Sequence, residues 1–92
     1  MPAATLILPT VLRTKFGVHG PVSVSGATVR EVIDILEQSL PGLAFALCYE
    51  TGELRPYVNI FVERDNIRYL QGLETPLVEG ASIRVLQSVA GG

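Results

Sequence analysis

One stretch of this chain has both the length and the spacing of a full helix, and it dictates what the remainder can be. Val29, Val32, Ile33, Leu36 and Leu40 recur at helical spacing and share one face. Arg30, Asp34, Glu37 and Gln38 lie away from that stripe, and Ile35 sits off it, partly exposed. Thr28 stands where an N-cap belongs, and Glu31 three residues later completes a capping-box pattern. Pro41-Gly42 stops the run. At ~1.5 Å per residue the helix over 29–40 is roughly 18 Å long, which matches a strand of about five or six residues. A helix with one apolar stripe has to bury it against another layer, and here that layer is a small sheet.

The flanking sequence supplies the strands. Thr5-Leu6-Ile7-Leu8-Pro9 reads as the first, with a bend at Pro9-Thr10 and apolar character continuing through Val11 and Leu12. Lys15 to Pro21, with Gly17, Gly20 and Pro21, reads as a loop. Val22-Ser23-Val24-Ser25 alternates as a half-buried strand does, and its closeness to the first strand predicts a hairpin. After the helix, Leu43 to Cys48 is expected to form a single helical turn that plugs the end of the core, and Glu50 to Glu53 a turn. Tyr57 to Val62 is the clearest strand, with Val58, Ile60 and Val62 on one face and Tyr57, Asn59 and Phe61 on the other. Arg64-Asp65-Asn66 is a tight-turn candidate, Ile67-Arg68 a short strand, and 71–80 an irregular stretch. Ser82 to Ser88 is the last strand, with Ile83 and Val85 on one face.

The order of elements predicts an α+β fold, a β-grasp (ubiquitin-like) roll. Its mixed sheet has four to five strands and one main helix, and its first and last strands run parallel. Parallel neighbours need a crossover, and the helix provides it. The expected organisation is a β-grasp domain over 1–88 followed by a flexible Gly-Gly tail over 89–92.

Composition narrows the function. A 92-residue chain has room for one small domain, and 48% hydrophobic against 17% charged residues makes it globular. The net charge of −2 and the scattered basic residues leave no cationic face for nucleic acid. No apolar run approaches the ~20 residues of a membrane helix. Cys48 is the only cysteine, so no disulfide framework exists, which fits a reducing cytoplasm. In its apolar run Cys48 reads as structural rather than as a reactive thiol. His19 has no cysteine or second histidine near it, so no metal site is expected. The glutamates form no recognisable acid–base pair, and no glycine-rich phosphate loop is present, so no catalytic residue is assigned.

Ala90-Gly91-Gly92 is the remaining anomaly. Two terminal glycines build no core and cap no helix; they offer a thin peptide with a carboxylate at its tip, able to thread a channel that a side chain would block. The alternative is a frayed end of no consequence.

Several stretches together resemble the ThiS/MoaD family of ubiquitin-like sulfur carriers, and within it the CysO-like branch, which supplies sulfide for cysteine synthesis. Leu8-Pro9-Thr10-Val11-Leu12-Arg13 is similar to that branch's first strand and bend, Val58-Asn59-Ile60-Phe61-Val62 to its third strand, and Val89-Ala90-Gly91-Gly92 to its tail. Two positions depart from the family pattern. Ala81 stands where an acidic residue is common, and Gln87-Ser88 where a proline often precedes the tail.

The resemblance implies a chemistry. A carboxylate is a poor electrophile with no usable leaving group. An E1-like adenylating and sulfurtransferase enzyme, using ATP and Mg, would adenylate the Gly92 carboxylate and make AMP the leaving group. Sulfur would then replace it to give a thiocarboxylate, for delivery to a sulfur-acceptor biosynthetic enzyme. The cysteine route is favoured over molybdopterin, thiazole or methionine. A processing metalloprotease is a further implied partner. Val89, Ala90 and Gly91 would thread the partner's channel, and the chain would be a protein co-substrate rather than an enzyme. Strand alternation also points Ile7, Phe61 and Leu86 outward from neighbouring strands, as an apolar docking patch for the activating enzyme. A one-residue slip of register would turn any of them inward. Two other functions fit the same residues: a ubiquitin-like modifier conjugated through Gly92, and a β-grasp interaction domain with an incidental Gly-Gly end.

Overall fold

The hairpin, the crossover helix and the parallel return all form. The structure, a computed structural model, describes residues 1–88; the tail predicted over 89–92 lies outside the described residues. Strands β1 (Ala3–Ile7), β2 (Val22–Ser25), β3 (Val58–Val62), β4 (Asp65–Asn66) and β5 (Ala81–Gln87) make one five-stranded sheet in the order β2-β1-β5-β3-β4. β5 runs parallel to β1 and antiparallel to β3. This is the β-grasp arrangement, with the last strand in the middle.

Alternation gives the sheet one inner face. Ala4 and Leu6 pair with Val24 and Val22, while Ile83 pairs with Leu6 and Val62, and Val85 with Ile60. Leu6, Ile60, Ile83 and Val85 are fully buried. Helix α2 (Val29–Ser39) lays Val29, Val32, Ile33 and Leu36 into the same core. Its start is capped almost as the sequence predicts. Thr28 Oγ1 accepts from the Glu31 N–H at 3.2 Å, whereas the Glu31 carboxylate reaches one residue further back, to the Ala27 N–H at 3.3 Å. After Gly42, at φ 99°, helix α3 (Leu43–Leu47) closes the end of the core with Leu43 and Leu47. Glu37 on α2 serves α3, since its two carboxylate oxygens accept from the N–H groups of Gly42 and Ala44, each at 2.8 Å. Those backbone donors hold the Glu37 carboxyl below its usual range.

Two predicted segments differ. β1 ends at Ile7, and the bend expected at Pro9-Thr10 leads instead into a third helix, α1 (Thr10–Phe16), which also takes the first two residues of the loop expected over Lys15–Pro21; the loop holds from Gly17 to Pro21. Leu8 and Leu12, four residues apart, are both buried, and Gly17 at φ 69° ends the helix. The Leu8–Arg13 stretch that resembles a first strand and bend is therefore a strand end leading into a helix. The second difference follows β3. The tight turn is Glu63-Arg64, and Asp65 and Asn66 form β4. Ile67 and Arg68 belong to a 3₁₀ turn, Ile67–Tyr69, rather than to a strand. Asn66 drives this, because its side-chain oxygen accepts from the Arg68 N–H at 2.9 Å while Ile67 is drawn wholly into the core. Among the described residues no helix is long and apolar enough to cross a membrane.

Candidate functional site

The tail predicted to carry the chemistry is rooted in the middle strand of the sheet. Gln87 is paired with Val58 in the β3–β5 ladder, and the Ser88 N–H donates to the Tyr57 carbonyl at 2.8 Å. Val89, Ala90, Gly91 and Gly92, named from the sequence as threading and reactive residues, lie outside the described residues.

The outer face of the sheet around that root is well defined. β1 places Ile7 opposite Arg84, and β3 places Phe61 opposite Arg84 and Asn59 opposite Leu86. Ile7 and Phe61 are half-buried and Leu86 is 45% exposed. The three predicted patch residues therefore all leave the sheet on its open side, with no slip of register. The register also adds a residue that the sequence reading missed. Arg84 stands between Ile7 and Phe61 in the register, so the patch carries one arginine among its apolar residues. Alternation with Ile83 and Val85 put Arg84 on this face, but its neighbours depend on the β1–β5 register, which no local signal specifies. Arg84 lies outside the ion pairs formed among the described residues, where Arg30 with Glu74 is the pair present.

Phe61, Leu86 and Arg84, with Glu63 and Arg64, border a shallow depression of about 240 Å³. Glu63 is held there by Ser82. The Glu63 N–H donates to the Ser82 carbonyl at 2.8 Å, and the Ser82 N–H donates to the Glu63 carboxylate at 3.0 Å. Glu63 adopts φ 56°, a left-handed conformation that the reversal between β3 and β4 requires.

Cys48 stands apart from this face. It is buried and borders a cavity of about 250 Å³ between α2 and α3, together with Arg30, Ile33 and Tyr49. Burial pushes its thiol pKa up, which keeps sulfur in the less nucleophilic protonated form. His19 is exposed, and no group of three or more metal-ligating side chains occurs among the described residues.

Comparison with known proteins agrees with this geometry. The ThiS family profile matches residues 6–92. The sulfur carrier protein CysO of Mycobacterium tuberculosis is 38% identical over 90 residues, covering 96% of this chain and 97% of the relative. A chain of the crystal structure of the Amycolatopsis orientalis BexX/CysO complex superimposes with a TM-score of 0.88 at 36% identity, covering 97% of this chain and 99% of that one. The solution structure of small archaeal modifier protein 1 from Methanosarcina acetivorans does so with a TM-score of 0.85 at 31% identity, covering 100% of this chain and 98% of that one. The likeness thus runs from the first strand through the Gly-Gly end, and the chain belongs to the ThiS family.

Proposed function

We propose that the chain is a sulfur carrier whose reactive atom is the terminal carbon of Gly92. An E1-like enzyme, holding ATP and Mg in its own site, transfers AMP to the Gly92 carboxylate and releases pyrophosphate. Hydrosulfide, at the sulfide oxidation level, then attacks the acyl carbon, and AMP departs to leave a thiocarboxylate. A biosynthetic acceptor enzyme takes that sulfur, with a cysteine-forming acceptor favoured because the CysO relatives align over nearly the whole chain. The carrier is consumed and regenerated as a co-substrate. The observation that carries the reading is the family match, which extends through Gly92 on a body whose middle strand leads directly into it. The open face of Ile7, Phe61, Leu86 and Arg84, beside the root of that tail, supports docking of the activating enzyme there. The BexX/CysO complex is a case of a CysO assembling with a second protein.

The likeness to a small archaeal modifier protein favours a second reading, in which activated Gly92 is joined to lysines of other proteins. One experiment separates them. The intact mass of the chain is measured before and after incubation with an E1-like enzyme, ATP, Mg and a sulfur donor, and any change is located on the C-terminal fragment. Replacement of one oxygen by sulfur at Gly92, dependent on ATP, is the expected result. Amide-linked conjugates on a denaturing gel without that replacement would favour the modifier. No change with enzymes that activate CysO would overturn both.

A further inference from the structure

A second apolar surface lies at the root of the tail, away from the open face of the sheet. Val11 on α1 is 69% exposed, Phe45 on α3 is 62% exposed and Tyr57 before β3 is 43% exposed. Together with Lys15, Arg55 and Gln87 they border one groove of about 340 Å³. Large exposed apolar side chains occur singly on most surfaces; three of them around one groove are the kind of cluster that marks an interface.

The groove is also charged in one sense. Among the described residues its lining contributes two cations and no carboxylate. Arg55 is fixed rather than free. Its guanidinium lies 4.6 Å from the ring centres of both Phe45 and Tyr49, and its Nε donates to the Phe45 carbonyl at 2.9 Å. Neither Lys15 nor Arg55 enters an ion pair among the described residues. Arginine and tyrosine are among the side chains enriched at the energetic centres of protein interfaces.

Position says which partner meets it. Gln87 borders the groove, and Ser88 is bonded to the backbone of Tyr57, another of its walls. From there to Gly92 an extended chain spans at most ~14 Å. A partner that encloses the carboxylate of Gly92 therefore works within ~14 Å of Ser88, beside the groove's Gln87 edge.

We infer that the groove receives an acidic, apolar segment of the activating enzyme, one that sets an aliphatic or aromatic side chain against Val11, Phe45 and Tyr57 and a carboxylate against Lys15 and Arg55. This rests on the carrier reading above. It adds a second contact, at the root of the tail, to the one on the open face.

The test uses full-length chain and an E1-like enzyme that activates it, with pyrophosphate release followed as carrier concentration is varied. Val11→Asp, Lys15→Glu and the Lys15→Glu/Arg55→Glu pair are compared with wild type and with His19→Glu, an exposed control. The expected result is a KM raised about tenfold or more in the three groove variants, with kcat unchanged, unaltered melting in the two single variants, and the charge effect shrinking as salt is added. Val11→Asp and Lys15→Glu change exposed side chains only, so they keep the test valid if Arg55→Glu perturbs α3. KM values within twofold of wild type would overturn the inference and leave the carrier reading standing. Faster activation of the double variant would overturn it in favour of the chain's own carboxylate as occupant. Failure of wild type to be activated by any such enzyme would overturn the carrier reading itself, and this inference with it.

Discussion

Ser88 donates its backbone N–H to the carbonyl of Tyr57 at 2.8 Å, one residue past the last ladder pair of β3 and β5. That bond fixes Ser88, so the greatest reach of Gly92 is measured from a set point. Inserting two glycines between Ser88 and Val89 separates reach from docking. It is expected to lower kcat/KM for activation several-fold, through lost positioning, with no change in melting temperature. Pyrophosphate release and calorimetry on the same protein check both halves.

Bulk inside the tail acts differently. On the proposed reading, Gly91→Phe puts a ring into a channel sized for backbone, and an added residue after Gly92 displaces the carboxylate that would react. The first is expected to slow activation at least tenfold and the second to abolish it, each with unaltered melting. Full adenylation of the extended chain, read by mass, would refute the assignment of Gly92.

On the open face, Leu86→Asp and Arg84→Glu alter exposed side chains whose inner neighbours on β5 carry the core. Surface changes of this kind shift stability within about 0.5 kcal/mol, which is less than about 4 °C in a domain of this size. Binding to the activating enzyme is expected to weaken about tenfold in each. Loss of binding accompanied by a large fall in melting temperature would show the effect to be structural instead.

Stability resides elsewhere. Leu47 is fully buried where α3 closes the core, and Leu47→Ala is expected to cost ~2–5 kcal/mol. Thr28→Ala removes the acceptor of the Glu31 N–H and is expected to cost about 1 kcal/mol, most of it recovered by Thr28→Ser. Denaturant unfolding measures both.

Burial raises the Cys48 thiol pKa above its ordinary value of 9.0. As pH climbs past that value the unfolded chain loses the thiol proton first, while the folded chain keeps it. The associated stability is whole below pH ~8.5 and declines as pH rises toward the folded pKa. Cys48→Ala is expected to fall less steeply than wild type over that alkaline range, and the thiol to react slowly with a soluble disulfide reagent at pH 8. Rapid labelling in the folded state would contradict the burial.

Where one local pattern decided the outcome, the fold was legible. The stripe of α2, its Thr28 cap and the alternation in β3 and β5 are short-range features, and they were enough to place the crossover and the parallel pair. α1 was not legible because Thr10, Val11 and Thr14 have weak helix propensity; contact of Leu12 with the core overrides it. The 3₁₀ turn at Ile67 was hidden for a similar reason, since two residues of strand-like sequence cannot be told from a turn that buries the same isoleucine. In the candidate site, the outward set of Ile7, Phe61 and Leu86 followed from period-two alternation alone. The place of Arg84 among them, and the meeting of Val11, Phe45 and Tyr57 across three elements, depend on register and on α1, neither of which has a local signature.

β5 is gripped on both flanks, by β1 and by β3. Tension applied to the chain end runs along that strand and loads both ladders in shear, with their hydrogen bonds resisting together. An edge strand pulled the same way has one ladder to resist with. A partner that releases its hold on Gly92 can therefore be dragged off by its tether without fraying the body. On the proposed carrier reading, this anchorage suits a chain that is hauled repeatedly out of one enzyme and into the next.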